Sequence, residues 1–306
     1  MLSLRSPRIK PGWVAMAPLG DHLHVVHVVH EVGSRPSLRW ACTQPWTVDA
    51  SALRSLRRSW PVRQHRTVAV LQHGQYQFLT LDAPDLPREE WRDAIRWTIK
   101  DMVDFPVETA GIDVIDIPSN PQQRRRPSLM AIAAARTVLA PLADAGSDAG
   151  LPWHAIDVTE TALRNLAVLG AEPGRGEALL HVGPTYSTLV IVAEGELLVT
   201  RHIEVTLDQL TDTDDSQRQT HFERASLELQ RTLDNVERQF SFANLARLAV
   251  APGAPLHGFI DYVRDLIYVP VAAFELGAVI DLSAVPELTD PVAQAAYLPA
   301  IGAALR

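Results

Sequence analysis

The chain has one cysteine, Cys42, in 306 residues. No disulfide can form within it, and a lone thiol fits a reducing compartment. It has no run of ~18 apolar residues, the length that reads as a membrane-spanning helix. Its first residues, MLSLRSPRIKPGW, are basic without an apolar stretch behind them, so no secretory signal is expected. It has no excess of positive charge: the net charge is −8, which argues against a chain-wide nucleic-acid footprint. Several motifs are missing as well. There is no G-x-x-x-x-G-K-[ST], no G-x-S-x-G and no H-E-x-x-H. No Ser–His–Asp or Cys–His grouping suggests itself by spacing, so a catalytic site would have to be assembled from distant residues. No short-period repeat points to a solenoid. The expectation is a soluble cytosolic protein, held at any membrane by something else.

What is present is ordinary globular composition, 47% hydrophobic and 21% charged, in a chain long enough for two domains. Ala178 to Val205 organises the reading. Leu180 and Val182 share one face, Leu189, Ile191 and Ala193 another, and Leu197, Val199 and Arg201 resume the alternation after Glu194-Gly195. This predicts strand, Gly turn, strand, turn, strand, with Gly183-Pro184-Thr185 as the first turn. In nucleotide-binding folds built this way, a carboxylate ends the first strand and holds Mg²⁺, which needs hard oxygen ligands. Here the strand ends in His181.

The flanking chain predicts a hairpin over Gly12–Val29, a strand at Leu38–Cys42, and a short helix from Ser51 to Arg58 capped by Asp49 or Ser51. Strands follow at Thr67–Leu71 and Tyr76–Leu81. A helix is expected over Arg88–Val103, striped by Trp91, Ile95, Thr98/Ile99 and Met102. Strands at Ile112–Ile117 and Leu129–Ala134 flank a Pro/Gln/Arg loop, and a helix runs from Thr137 to Ala145, ending at Gly146. After a short strand at Trp153–Asp157, Asp157-Val158-Thr159-Glu160 has capping-box spacing, and Ala162, Leu163, Leu166 and Leu169 stripe the helix behind it. Glu172–Glu177 reads as a linker. Thr220–Phe242 is the longest expected helix, followed by a strand at Leu245–Ala251, a helix at His257–Ile267 and a last helix from about Pro291 to Leu305. Two β-rich halves returning through helices predict a bilobal α/β protein with mixed sheets.

Four groups attract functional readings. His22, His24, His27 and His30 lie on one strand, which cannot supply converging ligands, so they read as a solvated strand face rather than a metal site. Arg124, Arg125 and Arg126 read as a solvated loop tip, or as a contact for anionic lipid headgroups. Arg96, Trp97, Lys100 and Asp101 lie on or beside the Arg88–Val103 helix. Trp97 is off its apolar stripe, as second-face core or as a partner-binding anchor. Gly183, Thr185 and Ser187 could form an anion-binding turn.

Five blocks resemble a known family. Ala94 to Val107 (AIRWTIKDMVDFPV) resembles the signature of the MshI proteins of the mannose-sensitive haemagglutinin (MSHA) type IV pilus. Ile156–Ala167, Leu197–Ile203 (LLVTRHI), Glu228–Asp234 and Ile301–Arg306 (IGAALR) are similar to blocks that family shares with PilM, the actin-like pilus assembly protein. The resemblance implies an actin-like (ASKHA, ribonuclease H-like) fold. Residues 1–156 with 290–306 would form lobe one, carrying an inserted subdomain, and residues 157–289 lobe two. It implies a cytoplasmic scaffold peripheral to the inner membrane that binds the N-terminal cytosolic tail of a bitopic membrane protein, in lobe one near Trp97. Nucleotide-binding relatives carry carboxylates where this chain has Ala15, Met16, Ala17 and His181, and a Gly-rich adenosine loop where it has Pro252-Gly253-Ala254. Without carboxylates to place Mg²⁺, a triphosphate is poorly compensated. The expectation is therefore a pseudo-ATPase with no cofactor and no catalytic residue, its cleft a vestige at Gly183, Thr185, Ser187 and Gly253. The alternatives are an ATP-binding ATPase or kinase of the same superfold, and a membrane-surface protein using Arg124 to Arg126.

Overall fold

The computed structural model describes residues 9–118 and 127–306; Arg124, Arg125 and Arg126 lie outside them. The chain begins with a meander, β1 (Trp13–Leu19), β2 (His22–Val29) and β3 (Ser37–Pro45). Helix α1 (Ala50–Ser59) leads to β4 (Arg66–Leu71). There follow β5 (Gln77–Asp82), α2 (Trp91–Thr98), β6 (Gly111–Ile117), β7 (Ser128–Ala134), α3 (Arg136–Asp148), β8 (Ala155–Val158) and α4 (Thr159–Gly170). A second meander is β9 (Gly176–Val182), β10 (Ser187–Ala193) and β11 (Glu196–Ile203). The rest is α5 (Leu207–Leu210), α6 (Asp215–Gln239), β12 (Leu245–Ala251), α7 (His257–Arg264), β13 (Val271–Ala273), α8 (Leu276–Val279) and α9 (Pro291–Ala303).

The two large sheets repeat one plan. Their orders are β3-β2-β1-β4-β8 and β11-β10-β9-β12-β13, each an antiparallel meander extended by two parallel strands. Parallel neighbours need a crossover, and helices supply it. Sheet one buries Val14, Met16, Leu23 and Val25 under α1 and α3, with Leu53 and Leu56 facing them. Sheet two buries Ala178, Leu180, Val182, Leu189 and Ile191 under α6 and α7, where Phe222, Leu229, Leu233 and Phe259 meet them. Between the sheets lie α4 and α9. Ala162, Leu163, Leu166, Leu298 and Ile301 share one cluster with Ala15, Val26 and Val68 of sheet one and Leu179, Val190 and Ala249 of sheet two. Both faces of each sheet are thus covered, which is why β9 and β10 are buried along their whole length. A smaller sheet, β5-β7-β6, carries α2 on one face, packed through Ile95, Ile99 and Val114.

Several expectations are corrected. The helix read over Arg88–Val103 is regular only from Trp91 to Thr98. Beyond Ile99 the amides turn back over three residues, Met102 N–H to Ile99 O at 2.9 Å. Arg96 draws the segment inward by donating to the carbonyls of Val107 and Ala110, and Met102 is left exposed. Gly146 does not end α3, which runs to Asp148; the missing side chain admits the indole of Trp153. β4 and β5 enter different sheets. Glu172–Glu177 is no linker: β9 begins at Gly176, and Glu177 is buried against Arg247, 2.7 Å away. The capping box at Asp157–Glu160 does not form, because Asp157 takes Arg306 and the Thr161 hydroxyl, and Glu160 takes the Tyr76 hydroxyl at 2.5 Å. A register shift at Ile191/Val192 moves Ala193 out of the cluster holding Leu189 and Ile191.

Candidate functional site

The meanders of both sheets end at a shared cleft. Its cavity of about 250 Å³ is walled by Ala17–Gly20 from β1 and its turn, Val70–His73 from the end of β4, and Thr159 from α4. His181 and Gly183–Tyr186 come from the second meander, and Ala295, Ala296 and Pro299 from α9. Chain order makes this crevice: strands β1, β4 and β9 all end here, and α9 crosses behind them.

The wall residues include no Asp, Glu, Lys or Arg. His181 forms the floor, 4% exposed, its Nε2–H donating to Ala295 O at 2.7 Å. Burial lowers its pKa to about 4, so the ring is neutral near pH 7. Its Nδ1 has no hydrogen-bond partner. Gly183 N–H is committed to Tyr186 O at 3.0 Å, and Gly183 O accepts from Leu207 N–H. Pro184 and Pro18 have no N–H to offer. The buried carboxyl of Glu160, next in the chain to Thr159, is turned onto Tyr76, and burial pushes its pKa up. A Mg²⁺–triphosphate would meet neither an acid for the metal nor a cation for the phosphates, and one turn amide fewer. These residues do not fit that group.

Of the expected site residues, Gly183 and Thr185 do share the cavity wall. Ser187 does not reach it; its hydroxyl donates to Val205 O at 2.6 Å and it is 2% exposed. Gly253 lies elsewhere, packed against Ala273 and Glu275. Arg96 is held by backbone carbonyls, while Lys100 and Asp101 are exposed in the turn after α2. Trp97 is 59% exposed, a surface ring rather than core. The histidines of β2 differ from expectation: His24 and His27 are buried, His24 beside Thr43 and Tyr297, His27 against His65 and Pro11 O. Among the described residues no cluster of three or more His, Cys, Asp or Glu could hold a metal.

Sequence reasoning missed two features. At the cleft mouth, His73, Tyr186 and His202 pack ring on ring, His73 and His202 parallel at 4.0 Å. On the far side of sheet one, Trp46, Val48, Val138, Leu142 and Trp153 line an apolar hollow of about 280 Å³. It shares Thr137 and Pro141 with a groove of about 480 Å³ lined by Phe105, Pro106 and Ala140. Each set comes from separated segments, with no local signal to join them.

The duplicated sheet plan, with two helices crossing between the sheets, defines an actin-like fold of two lobes. The chain superposes over 98% of its length on 99% of a chain of the PilM–PilN type IV pilus biogenesis complex, at TM-score 0.72 and 18% identity. A Bacteroides thetaiotaomicron protein of actin-like ATPase fold and unknown function aligns over 92% of this chain and 96% of its own, at TM-score 0.49 and 9% identity. No family model and no curated protein matches the sequence. The fold is therefore that of the matched chain of the PilM–PilN complex, and the cleft lies where the two lobes meet.

Proposed function

We propose that this chain is a non-catalytic, actin-like scaffold of type IV pilus biogenesis, of the MSHA kind. It works in the cytoplasm against the inner membrane by holding the N-terminal cytosolic tail of a bitopic partner. The observation that carries this reading is the end-to-end likeness to a protein seen with a pilus-assembly partner. A cleft wall without Asp, Glu, Lys or Arg supports it, because a kinase or ATPase of the same fold needs such groups to place metal and phosphate. Among the described residues no helix is long and apolar enough to cross a membrane, so a tethering partner has a role to fill.

The tail lies along the apolar trough beside α3, where Trp46 and Trp153 at one end and Phe105 and Pro106 at the other offer pockets for alternate side chains. Trp97 of α2 is a second exposed ring on the same lobe. Central aromatic anchors dominate such interfaces. A fluorescent peptide of the partner's tail should bind the native chain. Ala140→Arg, which fills the groove from its rim, should weaken binding at least tenfold, a loss of about 1.4 kcal/mol. Binding that ignores Ala140→Arg places the tail elsewhere; no binding of any tail peptide refutes the scaffold reading.

A further inference from the structure

Charge is divided unevenly along this chain. Residues 9–66 hold eight Lys and Arg against three Asp and Glu, a net charge of +5 in a chain whose total is −8. Two of those acids stand at the cleft end of sheet one, where Asp21 lies 2.7 Å from His22 and Asp49 caps α1. The cations gather at the other end. β1 and β4 run parallel from Trp13 and Arg66 towards the cleft, so the chain entering each strand lies at the foot of the sheet. Lys10 N–H donates to Gln64 O there at 2.7 Å, which sets Lys10 beside Arg63 and Arg66. Helix α1 descends from the cleft end, with Arg57 and Arg58 in its last turn and Arg54 one turn above. Among the described residues, none of Lys10, Arg54, Arg57, Arg58, Arg63 and Arg66 forms an ion pair, whereas eleven arginines beyond them do. Arg54 and Arg57 donate to the carbonyls of Asp148 and Ala149, which fixes them in place without neutralising them.

The same end carries bare aliphatic side chains. The β2–β3 turn lies there, because Val28 of β2 pairs with Trp13. Val32 in that turn is fully exposed, and Ile9, next to Lys10, is 52% exposed. In the strand order β3-β2-β1-β4, this turn, the chain entering β1 and the chain entering β4 are neighbours. Strands lie about 4.8 Å apart, so the three stand within about 15 Å of one another.

We propose that the foot of lobe one is a membrane-binding face: Lys10, Arg58, Arg63 and Arg66 take the anionic headgroups of a lipid bilayer, and Val32 and Ile9 enter the layer beneath them. Each basic side chain at such a surface strengthens adsorption about fivefold, and aliphatic side chains entering the headgroup boundary add to it. A nucleic acid offers Val32 no apolar layer. The negative charge on the rest of the chain also opposes a polyanion that wraps the molecule, but it points away from a flat surface met by one end. This face turns the cleft, at the opposite end of the same strands, away from the bilayer. It shares no residue with the trough proposed for the partner's tail, so either can fail without the other.

The test is flotation of the full chain, with no partner present, on vesicles of phosphatidylcholine alone or with about 30% phosphatidylglycerol. The native chain should float with the anionic vesicles only, and lose them between about 0.15 and about 0.5 M salt. Arg58→Glu with Arg63→Glu should weaken binding at least tenfold, with unfolding midpoint and tail-peptide binding unchanged. Arg231→Glu with Arg238→Glu, an equal change of charge on exposed positions of α6, should bind as the native chain does. An environment-sensitive dye on Val32→Cys, in a Cys42→Ala background, should shift to the blue on anionic vesicles, and the same dye on Gln219→Cys of α6 should not. Equal binding to neutral vesicles overturns the proposal, as does an equal loss in the α6 variant or an unshifted dye at position 32. So does binding to a DNA duplex as tight as to the anionic vesicles, which would make the foot a general polyanion site.

Discussion

Replacing His181 with Gln tests the cleft floor. A glutamine keeps a donor for Ala295 O but removes the titrating ring. The histidine's pKa falls from 6.5 to about 4 on folding, because a ring 4% exposed cannot solvate a charge. The unfolded chain then binds more protons than the native one between those values, so stability is full above pH 6.5 and lost as pH falls. With those two pKa values the loss is about 2 kcal/mol at pH 5 and about 3 kcal/mol below pH 4. His24 and His27, also lowered to about 4 by burial, act in the same sense in both proteins and cancel in the comparison. So do Glu160 and Glu177, whose raised pKa values act in the opposite sense. Urea unfolding at pH 7.5 and 5 should therefore show the native protein losing about 2 kcal/mol more than His181→Gln on acidification. Equal losses would mean that water reaches the ring, and the account of a closed, uncharged floor would be wrong.

Three further outcomes follow from named contacts. Gly302→Ala drives a methyl group into the carbonyl of Ala162, and should destabilise the protein by about 1–3 kcal/mol in urea unfolding. Tyr76→Phe leaves the buried Glu160 carboxyl without its donor, and should cost about 1–3 kcal/mol, recovered in part by Glu160→Leu. Titration with Mg-ATP in a calorimeter should give no binding heat at millimolar nucleotide; micromolar binding would restore the ATPase reading and remove the pseudo-enzyme from the proposal.

Much of the architecture was legible locally. The first hairpin, the second meander, α1 and the stripe of α6 all follow from alternation, turns and spacing, while the choice of Asp49 over Ser51 as the cap of α1 came from the fold. Errors came where a tertiary partner overrode a local rule. Glu160 has the spacing of a capping residue but is drawn to Tyr76, and His24, on the same strand face as His22, and His27, on the opposite face, are both buried. Arg88–Val103 carries a helical stripe, yet its second half is bent back because Arg96 holds Val107 and Ala110. Gly146 reads as a stop and serves as a seat for Trp153.

The sequence by itself determined most of the strands and the longer helices, the two β-rich halves, the resemblance to an actin-like pilus protein and the histidine, not an acid, at position 181, since each is written in neighbouring residues or short blocks. Only the tertiary structure decided that the cleft wall holds no Asp, Glu, Lys or Arg, that Ser187 and Gly253 lie away from it, that His73 meets His202, and that Pro141 is shared by the hollow at Trp46 and the groove at Phe105. Those facts depend on which residues from distant segments become neighbours, and the packing of α4 and α9 between two covered sheets sets that, not any local periodicity.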